Sequence, residues 1–166
     1  MITLLLCTFL LLSCQKPDFL TASHEPARIM QMDQADEALI RIAEDARSTL
    51  PGFFRQLTGK RTGEKSFCVK YPFPADEESG AAIEQIWITG IHFKNGRYHG
   101  VLTSTPRHIS GRKKGDRVIF EADYITDWMY VQNGKIIGGY SIQYLLEKIP
   151  ESQRSNTERE LLLMFD

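Results

Sequence analysis

The sequence predicts an α+β domain: one N-terminal helix packed on a mostly antiparallel sheet of about six short strands, with a short C-terminal helix. Three observations lead there. Leu39, Ile42, Ala43, Ala46 and Leu50 recur at three- and four-residue spacing, one apolar stripe of a helix. Further on, short runs of alternating apolar and polar residues succeed one another without a second long helical pattern. Two of the breaks between them are Asn95-Gly96 and Asn133-Gly134, the strongest short-range hairpin signal, because a two-residue turn needs positive φ at both positions.

The elements follow in order. Asp33 is placed to cap the helix, and Asp36 and Glu37 put negative charge on its first turn. Pro51 and Gly52 are expected to break it, leaving Phe53 to Leu57 as a separate short turn. Phe67, Val69 and Tyr71 then mark a strand that Pro72 and Pro74 should end, followed by a polar loop from Pro74 to Gly80. Ile83 to Phe93 is a long β-type run that Asn95-Gly96 turns back through Tyr98 to Thr103. Lys114-Gly115-Asp116 turns into a strand from Arg117 to Ala122. Trp128 to Val131 is the next, returned by Asn133-Gly134 through Lys135 to Tyr140. Ser141 can cap a short helix through Glu147, stopped before Pro150. Glu151 to Glu160 is charged and polar, so residues 150–166 read as a polar tail with a weakly apolar end, Leu161 to Phe165, that either docks on the domain or frays.

The first 13 residues belong to another class of segment. Ile2 to Leu12 is almost wholly apolar, too short to cross a bilayer but suited to the core of an export signal, although no Lys or Arg precedes it. Leu11-Leu12-Ser13-Cys14 resembles the lipobox of bacterial lipoproteins, in which a small residue precedes a cysteine that is lipidated and becomes the new N-terminus. Residues 1–13 are therefore expected to be a signal peptide, Cys14 the lipidated residue, and 14–32 a tether, with the folded domain at 33–149. Removal of Cys7 and lipidation of Cys14 would leave Cys68 without a partner, which argues against a disulfide scaffold. Gln15, rather than Asp, follows Cys14, which points to the outer membrane, facing the periplasm.

With 166 residues and a net charge of −1, the chain has room for one domain and no electrostatic reason to bind nucleic acid, and its short basic run, Arg112-Lys113-Lys114, reads as an exposed turn. It carries no Gly-x-Ser-x-Gly elbow, no phosphate-cradling loop, no Cys-x-x-Cys and no His-Glu-x-x-His, so no catalytic residue and no cofactor is assigned.

Asp127-Trp128-Met129-Tyr130, followed by Asn133-Gly134-Lys135 and Gly138-Gly139-Tyr140, resembles the hallmark of the YegJ-like family of uncharacterised bacterial proteins. Ala46 to Pro51, Phe67 to Lys70, Glu84 to Trp87 and Lys114 to Asp116 resemble the same family in the same order. The resemblance implies a bacterial domain, some of whose relatives look exported or lipid-anchored, and carries no activity with it.

Hairpin arithmetic locates the remaining candidates. The Asn133-Gly134 turn sets Met129 opposite Gly138, Trp128 opposite Gly139 and Asp127 opposite Tyr140, with the glycine making room for the indole. Asp127, Trp128, Tyr130 and Tyr140 thereby become a candidate binding surface, since aromatics beside a carboxylate suit recognition. The Asn95-Gly96 turn makes His92 and His99 cross-strand neighbours, a pair that needs a third ligand to hold a metal; strand length keeps Glu84 from supplying it. The expected function is a non-enzymatic domain, attached to the membrane through lipid on Cys14, that binds a protein or an envelope component, an immunity-type role included. The alternative is a hydrolase of envelope polymers using Glu84, Asp127 or the histidine pair.

Overall fold

Two Asn-Gly turns set the register of four strands. Both asparagines and both glycines take positive φ, as the tight hairpin demands. The computed structural model describes Leu20–Thr21, Glu37–Gly59 and residues 63–164. The signal segment, Cys14, the Asp33 cap and most of the tether lie outside the described residues. In chain order the elements are β1 (Leu20–Thr21), α1 (Glu37–Gly59), β2 (Glu64–Pro74), β3 (Ile83–Lys94) and β4 (Arg97–Leu102). They continue with β5 (Arg117–Phe120), β6 (Asp127–Gln132), β7 (Lys135–Gly138), α2 (Tyr140–Glu147) and α3 (Glu151–Met164).

The sheet runs β1-β5-β4-β3-β2-β6-β7, with β2 to β7 paired antiparallel and the two residues of β1 added in parallel to β5. The fold is α+β, as the pattern of elements predicts. The His92–His99 and Met129–Gly138 pairings occur as the turn arithmetic requires. Leu20–Thr21, expected to be part of an irregular tether, supplies the edge strand instead.

Strand alternation sorts the side chains onto two faces. Val69, Tyr71, Phe73, Ile86, Ile88, Leu102, Val118, Phe120, Trp128 and Tyr130 form one buried face, and α1 packs Ala46, Leu50 and Phe53 onto it. The other face carries a smaller cluster of Cys68, Met129 and Val131, covered by Ile142 and Leu146 of α2 and Leu161 of α3. Burial there pushes the Cys68 thiol up to about 12, so it packs as a small apolar residue rather than reacting as a thiolate.

Prolines behave differently from the sequence expectation in two places. α1 continues through Pro51 to Gly59 instead of breaking. An internal proline costs about 3 kcal/mol. Leu50 and Phe53 on either side are both buried, and Phe53 meets the rings of Trp128 and Phe67 at 5.4 and 5.8 Å. Burying two such side chains offsets that cost at about 2–3 kcal/mol each. β2 likewise includes Pro72 and Pro74. The Lys70 carbonyl accepts the Thr126 N–H at 3.0 Å, so alternate residues from Lys70 onward turn their peptide groups toward β6. Pairing with β6 ends at Lys70, so neither proline withholds a donor from a neighbour.

Two further corrections concern the C-terminal half. α2 begins after Gly139 rather than at a Ser141 cap, and residues 151–164 form a helix, not an irregular tail. The glycine that accommodates the indole is Gly138, not Gly139. A Cβ at Gly138 would lie 2.5 Å from the Trp128 ring and against its carbonyl oxygen. Gly138→Ala adds that overlap to a residue already at φ +75°. It should cost about 3 kcal/mol in urea denaturation. Gly134→Ala, with the same φ and nothing nearby, should cost about 1 kcal/mol.

Candidate functional site

Asp127 and Trp128 are adjacent in β6 and therefore point to opposite faces of the sheet. Each meets a different helix. On the α1 face, the Trp128 indole Nε1 donates to the Ala46 carbonyl at 2.9 Å and to Thr49 Oγ1 at 3.1 Å. Thr49 Oγ1 also hydrogen-bonds the Tyr140 hydroxyl at 2.7 Å, which ties the start of α2 to α1.

On the opposite face the Asp127 carboxylate takes the place of an N-cap side chain. Oδ1 accepts the N–H of Tyr140 at 3.1 Å and of Trp128 at 2.7 Å. Oδ2 accepts the Ser141 N–H at 2.8 Å and its hydroxyl at 2.6 Å. Free N–H groups and the positive end of the helix dipole are satisfied from another strand rather than from the helix's own first residues. Gly139, the residue at the cap position, has no side chain to do it.

Lys70 completes the cluster. It stands opposite Asp127 in the β2–β6 ladder, its Nζ donates to Ser141 Oγ at 3.1 Å, and it lies 5.6 Å from the Trp87 ring centroid. Burial lowers the Lys70 pKa, and the charge of Asp127 partly restores it. Burial raises the Asp127 pKa, opposed by the Ser141 and Trp128 hydrogen bonds and by Lys70. A depressed lysine beside a serine hydroxyl has the composition of a Ser–Lys nucleophile pair. Here Ser141 is 6% exposed and directs its proton to Asp127, so the chain from ammonium to hydroxyl to carboxylate closes on itself. Its evident work is to bury a charge pair with its hydrogen bonds satisfied.

The candidate binding surface is thus not a surface. Asp127, Trp128 and Tyr130 are buried, Tyr130 stacked on Phe67 at 5.0 Å, and Tyr140 is half-buried with its ring edge-on to Trp128. The residues of the hydrolase alternative do not converge either. Glu84 pairs with Phe73 on the face opposite Asp127, and its carboxylate accepts the backbone N–H groups of Arg107 and His108 at 2.8–3.0 Å. His92 and His99 do come together, their rings stacked at 5.3 Å. They share the face of Asp127 but lie five residues along β3 from its row, about 16 Å. Among the described residues no group of three metal-ligating side chains forms. Lys70 is not singled out from the sequence, and Ser141 is given only a capping role there. The available signal was a lysine inside an otherwise apolar strand, which requires a buried counter-charge.

The chain belongs to a family of uncharacterized proteins conserved in bacteria (DUF2314), whose family model matches residues 36–165. It is similar to a protein of Neisseria meningitidis serogroup B named for ankyrin repeats, 36% identical over 131 residues, 76% of this chain. The chain spans about half of that relative, 52%. It is also similar to the uncharacterized protein YegJ of Escherichia coli K12, 28% identical over 109 residues, covering 66% of this chain and 68% of the relative. No solved structure matches it.

Removing the cap should show directly. Asp127→Ala leaves the Tyr140 and Ser141 donors and the Lys70 charge without their partner, and should cost about 3 kcal/mol or more. Asp127→Asn gives a pH signature. A raised carboxylate pKa means that the folded chain holds this proton more tightly than the unfolded chain. The contribution is full below the ordinary value of 3.8 and is lost as pH rises through the folded value. The wild type should therefore lose stability relative to Asp127→Asn as pH rises from 3.8, read by denaturation at a series of pH values.

Proposed function

We propose that this domain is a non-enzymatic binding module held at the cell envelope by lipid on Cys14, with a protein as its partner. The observation that carries the reading is the uneven cover of the second sheet face. Ile142, Leu146 and Leu161 pack over the Cys68–Met129–Val131 cluster of β2 and β6. On β3, β4 and β5 the same face presents Thr89, Val101, His99 and Ile119, each half-buried and outside that cluster among the described residues, beside Trp87, which packs on the cluster's edge. An aromatic and β-branched patch on a rigid sheet is suited to protein contact. The carboxylates that hydrolysis would require are already engaged in holding helix and loop backbone.

The relative named for ankyrin repeats supports a role in protein binding, because stacked repeats of that type build concave binding surfaces. This chain has no internal repeat of that kind, so the support is an association between this domain type and such a module. An immunity-type role, in which the patch blocks a toxin, is one form of the same reading. The address rests on the apolar segment ending at Cys14 and on Gln15 after it, which favours the outer membrane facing the periplasm.

Two measurements test the parts separately. Cys14→Ser should abolish acyl labelling and move the protein from the membrane to the soluble fraction; unchanged fractionation would refute the anchor. A photoreactive side chain at Val101 or Ile119 should give one discrete crosslinked product in envelopes, absent when the same group replaces exposed Leu39 on α1. Identical products from all three positions would refute the patch.

A further inference from the structure

The tip of the β3–β4 hairpin reads His92-Phe93-Lys94-Asn95-Gly96-Arg97-Tyr98-His99. Buried cores claim most of this domain's aromatic rings, yet Phe93 is 64% exposed. It stands on a firm base. Its ring meets Tyr98 at 4.9 Å, and Tyr98 stacks on Phe54 of α1 at 4.7 Å and on Phe120 of β5 at 5.7 Å. The exposed ring is therefore held out from the sheet by a column of packed rings and by a two-residue turn that permits little movement.

Charge surrounds it. Lys94 and Arg97 form the cross-strand pair next to Phe93, both are exposed, and among the described residues neither makes an ion pair. The stacked His92–His99 pair lies one step further in. From His92 to His99 there is no carboxylate; the register brings Glu121, just past Phe120, toward Arg97. An apolar ring projecting between two cations, on a chain whose net charge is −1, is a local feature rather than a reflection of composition.

We infer that this tip docks on an anionic lipid surface, with Phe93 entering the headgroup boundary and Lys94 and Arg97 pairing with lipid phosphates. A ring that leaves water for the interface gains from apolar burial, and basic side chains reach phosphate while their stems lie along the acyl boundary. Each Lys or Arg beside an anionic leaflet adds to the attraction. Docking would orient the anchored domain and leave the Trp87–Val101 face for its partner. Its role in the cell rests on the envelope location proposed above, while the contact itself does not require the lipid on Cys14.

Phe93→Trp in the chain from residue 14 onward, with Cys14→Ser to keep it unlipidated, gives a reporter at the tip. The probe is a vesicle of phosphatidylcholine, with or without an equal part of phosphatidylglycerol, carrying bromine on the acyl chains. Emission beyond that of Trp87 and Trp128 should be quenched on the anionic vesicles and should recover at high salt, which screens the contact. Adding Lys94→Gln and Arg97→Gln should lower the docked-to-free ratio roughly thirtyfold. Absence of added quenching, or equal quenching on phosphatidylcholine alone, would overturn the inference. The salt series decides the matter even where the charge substitutions alter folding. Failure here leaves the Cys14→Ser fractionation result unaffected, so the two readings fall separately.

Discussion

β6 begins with two adjacent residues, Asp127 and Trp128, that face opposite sides of the sheet and hold different helices. Asp127 binds the first turn of α2 through backbone and side chain of Ser141 and the N–H of Tyr140. Trp128 binds the α1 backbone at Ala46. Lys70 of β2 adds a bond to Ser141 on the α2 side, and the Thr49–Tyr140 contact joins the two helices directly. A buried carboxylate tolerates no loss of partners, because each unsatisfied group there costs more than the bond is worth at the surface. Gly138 follows from the same constraint: with the indole seated on α1, its ring and carbonyl leave no space for a Cβ.

That constraint changes what the most recognisable segment of the chain means. Asp127, Trp128, Tyr130 and Tyr140 combine acid and aromatics as recognition sites do, yet the same combination serves a junction that must be polar and buried at once. A carboxylate can satisfy several N–H donors, and an indole can fill a core while donating one bond. Function is then sought where side chains are less engaged: the half-covered face of β3 to β5 and the aromatic, basic tip of the first hairpin. Both lie on paired strands of the sheet rather than on loops.

Local chemistry was legible in the sequence and distant chemistry was not. The two Asn-Gly turns disclosed four strands and the His92–His99 and Met129–Gly138 pairings, because turn length alone sets the register. Pro51 and Pro72 misled because a local rule was overridden by packing in one case and by an absent neighbour in the other. The α2 cap was hidden because its acceptor lies 14 residues upstream on another element, and Lys70 lies 71 residues from Ser141. The helix at residues 151–164 was illegible for a different reason: largely exposed, it has no apolar stripe to announce it.

Native-state hydrogen exchange on Asp127→Asn tests the central claim, that one strand holds the two helices by separate contacts. Protection should fall at the amides of Tyr140–Glu147 while those buried in Glu37–Gly59 keep theirs. An equal loss in both helices, or no loss in either, would contradict the account.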